Sequence, residues 1–228
     1  MRHHSTLIVD GNIASGKTTY VNMLYKELTE LDYNVTVISE PVGKWEASGL
    51  LDTFYSDTKR WGYLFQSAAF QSRIAHTIEV YERTKDTTDV YILERSCVTD
   101  VVFMKALHRQ GMVTDLELSC YFEWASMWQR LMPLEPTVFF YIDTDVTQCM
   151  LRRTLRNRSS ERDIPKEYFE ILDEEHRVLF CNDYIELSTS CDGLPKNVPV
   201  CRVDVTKDYR EDPKDKKRLL DQVIEVVG

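Results

Sequence analysis

No stretch of this 228-residue chain stays apolar for the roughly 20 residues that a helical membrane span requires, so that class is excluded. A basic excess is missing too: 28 Lys and Arg against 37 Asp and Glu leave a net charge of −9. A nucleic-acid polymer as partner is therefore not expected, because phosphate contacts need a basic surface. None of the six cysteines forms a C-x-x-C pair. Cys181, Cys191, Cys201 and nearby His176 match no common zinc spacing, and scattered free thiols point to a reducing compartment. The N-K-x-D guanine motif of switch-type GTPases is absent, as are internal repeats and low-complexity tracts. The first strand-like run begins at about Ser5, which leaves no length for a signal or transit peptide, and a cytoplasmic location is expected.

What is present is an ordinary globular balance, 43% apolar and 29% charged. Short β-branched runs recur between long helical patterns. Residues 7–10, 34–39, 90–93, 137–142 and 198–205 read as strands. Helices are expected over about 16–31, 58–85, twice between 97 and 131, from 145 onward, from Pro165 to about Leu187, and after Pro213. The loosest segment, 188–197, reads as a surface loop. Strands alternating with helices imply a five-stranded parallel sheet covered on both faces, in one α/β domain over residues 1–228.

The most specific signal is GNIASGKTT, one residue past the apolar run Leu7-Ile8-Val9 and opening a helix. It fits G-x-x-x-x-G-K-[ST], the phosphate-binding loop or P-loop. Gly11, Asn12, Ile13, Ala14, Ser15, Gly16, Lys17, Thr18 and Thr19 are thus expected to cradle ATP, with backbone N–H groups and a helix N-terminus facing the phosphates. Lys17 reaches the β- and γ-phosphates in such loops, and Thr18 offers its hydroxyl to Mg²⁺. The third strand ends in Glu94-Arg95-Ser96. Ligands in open α/β sheets sit beyond the carboxyl ends of strands, so Glu94 is placed to hold Mg²⁺ opposite Thr18 and Arg95 to enter the cleft. Glu40, ending the second strand and held extended by Pro41, is a candidate general base for an attacking hydroxyl.

Five arginines crowd positions 152–162, and Arg152 and Arg156 share a helical face. Guanidinium forks match phosphate oxygens, so this arginine-rich stretch, about 152–164, reads as a lid over ATP that supplies positive charge to phosphoryl transfer. Gln66, Ala69 and Arg73 lie at i, i+3 and i+7 beside an apolar stripe, a pattern suited to a pocket that hydrogen-bonds a flat base.

Taken together, GNIASGKTT, EPVGKW (40–45), LLDTFY ending at Tyr55, FQS (65–67), ERS (94–96), LRRTLRNR running into SSERDIP, and a looser VCRVDVTKDY (200–209) resemble the deoxyribonucleoside kinases in content and order. The resemblance implies an ATP- and Mg²⁺-dependent kinase of the P-loop fold, acting on the 5′-hydroxyl of a small-molecule deoxynucleoside and assembled as a homodimer. It implies Glu40, Arg95 and Lys17 as the catalytic group. Trp45 and Phe65 would wall the base pocket, Gln66 would pair with the base edge, and Tyr55 and Glu161 would hold the 3′-hydroxyl. Arg152, Arg156 and Arg158 fall on the lid arginines, and Asp204 to Tyr209 fall near the adenine of ATP. Arg73 and Asp100 match the branch that favours deoxycytidine or deoxypurines over thymidine. Where the family usually places an aromatic after ERS to stack on the base, this chain has Met104, with Phe103 adjacent. The alternative is a thymidylate-type nucleoside monophosphate kinase, which shares the loop, sheet and lid but needs extra positive charge for the acceptor's own phosphate.

Overall fold

The computed structural model describes residues 4–158, 161, 164–188, 195–205 and 223–224. The first strand, β1 (Ser5–Asp10), is buried throughout and feeds the P-loop, which opens α1 (Lys17–Glu30). Next come β2 (Val35–Ile38), the short helices α2 (Val42–Ala47) and α3 (Leu50–Ser56), and the long α4 (Thr58–Thr84). The chain continues through β3 (Val90–Glu94), α5 (Val101–Arg109), α6 (Asp115–Leu131), β4 (Val138–Asp143), α7 (Val146–Arg156) and α8 (Lys166–Leu179). Then follow β5 (Tyr184–Ser188) and β6 (Pro195–Asp204). The helix expected after Pro213 lies almost wholly outside the described residues.

The sheet runs β2-β3-β1-β4-β6-β5. The five expected strands are parallel, with β1 between β3 and β4. A sixth, β5, pairs antiparallel with β6 and closes one edge. This corrects the expected helix to Leu187: α8 stops at Leu179, the backbone turns over 180–183, and Tyr184–Ser188 becomes strand. Ile185 is buried there against Val198 and Val200, so cross-strand burial outweighs the helical pattern.

Parallel strands buried on both faces read as continuous apolar runs, and β1 shows why. Leu7 and Val9 pack with Tyr20, Val21 and Leu24 of α1 on one face, while Ile8 joins Tyr91, Leu93, Phe139 and Tyr141 on the other. A third cluster, built from α4, α5, α6 and α8 around Phe70, Met104, Tyr121 and Phe169, lies toward the carboxyl ends of the strands. Among the described residues three helices are capped by side chains, α7 among them through Asp145, which accepts from the Thr147 N–H at 2.7 Å. Asp57 caps α4 by accepting from the Arg60 N–H at 3.0 Å, and Thr114 and Glu117 form a reciprocal capping box on α6. Among the described residues no helix is long and apolar enough to cross a membrane.

Gly11 leaves β1 at φ +148°, and a Cβ there would stand 2.7 Å from the Ile142 carbonyl oxygen and 2.9 Å from Ser15 Oγ. The Ile142 oxygen belongs to the backbone and cannot make way by a side-chain rotation. Gly11→Ala is therefore expected to cost about 1–3 kcal/mol of stability and to weaken ATP binding, read by thermal unfolding with and without ATP.

Candidate functional site

Three strand ends build the site. At the end of β1 the Lys17 ammonium is nearly buried and donates to the Gly11 and Asn12 carbonyls at 3.1 and 2.7 Å. Burial, and then the nearby Arg95 charge, pull it down to about 8. Asn12 Nδ2 donates to the Phe169 carbonyl at 3.0 Å, and its Oδ1 accepts from the Ile13 N–H, so one amide ties the loop to α8. Ala14 takes φ +57° and Gly16 φ +111°, aligning the turn that starts α1. The Ser15 carbonyl accepts from Thr144 Oγ1 at 2.9 Å and from Arg152 at 2.6 Å. Thr18 and Thr19 are exposed, and the Thr18 hydroxyl faces both Glu94 carboxylate oxygens at 3.0 and 3.1 Å. A hydroxyl and a carboxylate side by side at the phosphate loop are the hard oxygen donors that magnesium takes, and this donor set fits the ion.

Beyond β2, Glu40 sits between two guanidiniums, Arg73 at 2.7 Å and Arg95 Nε at 3.3 Å. Burial alone would raise its carboxyl, but Arg95, Arg73 and Lys17 outweigh that and hold it below its ordinary value. Beyond β3, Arg95 adopts the left-handed backbone at φ +66°, uncommon for a residue with a side chain. It is held there by its N–H to the Val9 carbonyl at 3.0 Å and by an ion pair to Asp10 at 2.8 Å. Its guanidinium lies 4.5 Å from the centre of the Phe103 ring.

Arg73, on α4, bridges Glu40 and the buried Asp100. Asp100 is engaged at both oxygens, one by Arg73 and the other by the Tyr121 hydroxyl at 3.3 Å. These carboxylates keep Arg73 charged against its burial. Beside it stand Gln66, Phe65 and Trp45, all buried. Phe54 stacks on Phe65 at 4.4 Å and 14°, Trp45 meets Phe65 edge-on at 5.8 Å, and the Trp45 ring N–H donates to Ser72. This rigid apolar slot with polar groups at one side has the character of a small-molecule pocket.

The cleft these elements enclose is about 320 Å³. All of the expected acceptor residues line it: Glu40, Trp45, Tyr55, Phe65, Gln66, Arg73, Arg95, Asp100 and Glu161. From the donor side, Ile13, Ala14, Lys17, Thr18 and Glu94 reach it. Of the expected lid arginines, Arg156 and Arg158 line the cleft and both bind Glu161, Arg158 at 2.9 Å. Burial then pushes the Tyr55 hydroxyl, near Tyr168 and Glu161, well above its ordinary range. Arg152 instead turns back to the P-loop. Asp204 ends β6 in register with Asp143 and does not line the cleft, and Tyr209 lies outside the described residues.

A further placement differs from the sequence reading. Met104 is fully buried in the core, and Phe103 is the aromatic in the cleft, since neighbours on a helix point about 100° apart. Asp10 and Tyr168 escaped notice, although a charged residue closing an apolar strand just before Gly11 was a usable signal for the first. Among the described residues no group of three or more metal-ligating side chains occurs, so Cys181, Cys201 and His176 assemble no such site; Cys191 lies outside them.

The profile of the deoxynucleoside kinase family matches residues 7–228. The chain is 29% identical over 227 residues to a probable deoxycytidine kinase of fowlpox virus (strain NVSL), covering 99% of this chain and 89% of that one. It is 32% identical over 227 residues to deoxycytidine kinase of Mus musculus, covering 89% and 84%. To the mitochondrial deoxyguanosine kinase of Xenopus laevis it is 27% identical over 226 residues, covering 89% and 82%. A family match that starts inside β1 and spans every element of the cleft leaves one conclusion: the chain belongs to the deoxynucleoside kinases, and is an ATP-dependent kinase of deoxynucleosides.

Proposed function

We propose that this kinase transfers the γ-phosphoryl of Mg-ATP to the 5′-hydroxyl of deoxycytidine or a purine deoxynucleoside in preference to thymidine. The observation that carries the reading is Arg73, which joins Glu40, the proposed proton acceptor, to Asp100 at the proposed base edge. Thr18 and Glu94 would hold the magnesium ion, which when bound offsets charge on the phosphate oxygens. Lys17 binds the β- and γ-phosphates. Glu40 accepts the 5′-hydroxyl proton as the oxygen attacks phosphorus and the bond to the ADP oxygen breaks. Arg95, beside Glu40, lies where it can donate to the transferring phosphoryl oxygens. Arg156 and Arg158, with Glu161, close the lid side, and Tyr55 and Glu161 hold the 3′-hydroxyl.

On the base side, Gln66 offers a donor and an acceptor to a base edge, and Phe65 and Trp45 wall the ring. Asp100 and Arg73 favour a base carrying an exocyclic amino group, which thymine lacks. The monophosphate-kinase alternative finds less support. Among the described residues, the arginines that line the cleft, Arg73, Arg95, Arg156 and Arg158, are each already paired with a carboxylate. Dimeric assembly, on the family resemblance, and a cytoplasmic location, on the scattered free thiols, are part of the same proposal.

Phosphate transfer from radiolabelled ATP to the four deoxynucleosides and their monophosphates tests this. Deoxycytidine or a deoxypurine should give the highest kcat/KM, by about tenfold or more over thymidine. Thymidine in first place would overturn the preference, and a monophosphate in first place the acceptor class.

A further inference from the structure

Asp10 belongs to none of the motifs, yet it is the most enclosed charge at the site, with no exposed surface. One of its oxygens, Oδ1, serves three elements at once. It accepts the Gly11 N–H at 2.6 Å, the first amide of the P-loop, and it receives the Arg95 guanidinium at 2.8 Å. His176 of α8 stands 3.4 Å away through Nε2, its other ring nitrogen lying 2.6 Å from the Leu172 carbonyl. Arg95 needs such an anchor. Its backbone is left-handed, its side chain is buried, and its Nε leans on Glu40 from 3.3 Å. A guanidinium fork pinned at one nitrogen keeps its other donors aimed in a fixed direction.

We propose that Asp10 is a positioning residue for phosphoryl transfer: it fixes Arg95 relative to the P-loop, so that the donor and acceptor halves share one origin. The inference rests on the role given above to Arg95. Because Asp10 joins Gly11 to Arg95 through one oxygen, a shift of either half is felt by the other. Misplacing a catalytic group by about 1 Å costs on the order of 100-fold in rate. Asp10 touches neither substrate in this arrangement, so its effect falls on turnover through Arg95 and leaves ground-state binding of ATP nearly intact. His176 stands behind the carboxylate on α8, the helix that Asn12 also grips, with its Nε2 3.4 Å from Asp10 and no hydrogen bond between them.

The test is a double-mutant cycle on kcat with Asp10→Asn, Arg95→Lys and the combination, with ATP affinity measured by calorimetry. Asp10→Asn keeps the shape and can still accept from Gly11, but lacks the charge. It should lower kcat about tenfold or more, change ATP affinity by less than about threefold, and cost far less in the Arg95→Lys enzyme. A loss below threefold, or the same fold loss in both backgrounds, would overturn the role of Asp10 while leaving that of Arg95 intact. Normal turnover in Arg95→Lys alone would remove the Arg95 role and this one with it. If Asp10→Asn does not fold, Asp10→Glu, which keeps the charge but moves it by one methylene, runs through the same cycle with the same criteria.

Discussion

Glu40→Gln is expected to lower kcat by about 100- to 10,000-fold while ATP affinity changes by less than about threefold. The amide keeps the size and the contact with Arg73 but cannot take up a proton. Steady-state kinetics beside a direct ATP-binding titration checks it, and near-normal turnover would remove Glu40 from the role of base. The same site predicts the pH profile. Glu40 is held below its ordinary value of 4.5, so its pairing stabilises the fold fully above 4.5 and fades as pH falls through the lower, folded value. The acid limb of kcat/KM should therefore lie below 4.5. Lys17, drawn down to about 8, loses its charge as pH rises through that value, and an alkaline limb of kcat/KM near 8 is expected in the free enzyme.

Replacing both members of the buried pair, Arg73→Met with Asp100→Ala, is expected to raise the thymidine to deoxycytidine ratio of kcat/KM at least about tenfold. The double change matters energetically. Arg73→Met alone strands Asp100 and leaves Glu40 with Arg95 as its one guanidinium partner, and Asp100→Ala alone leaves Arg73 with one partner fewer. Breaking one partner of a buried ion pair costs about 3–5 kcal/mol, and removing both costs less than the sum. Thermal unfolding of the two single variants and the double one measures that coupling, and an unchanged base preference in the double variant would place specificity elsewhere in the cleft. Arg73→Met also removes one of the charges that hold Glu40 ionised, so the acid limb of kcat/KM should move upward in pH.

How much of this was legible in the chain depends on how far apart the cooperating residues lie. The P-loop and α4 carry local signals, a motif within nine residues and a periodic apolar stripe, and both fold where the pattern puts them. The edge strand β5 does not: five residues after a helix end are too few to announce a change of period, and only pairing with β6 decides it. Phe103 and Met104 are neighbours in sequence, and which one faces the cleft is settled by the direction of α5 against α8. Asp10 is the hardest case, because its partners stand at positions 95 and 176 and no spacing rule links them. The ion pairs that make Glu40, Arg73 and Asp100 one unit are likewise long-range, and they emerge only when β2, α4 and the turn after β3 converge.

That one guanidinium is shared between Glu40 and Asp100 has a consequence for how such an enzyme diversifies. On the roles proposed for these residues, a lineage cannot exchange the nucleoside it accepts by altering position 73 or 100 without also disturbing the proposed proton acceptor. The same proposal makes substrate range and turnover a single inherited trait. New specificities that keep their speed must arrive with a compensating charge elsewhere around Glu40, so the path between them passes through slow intermediates.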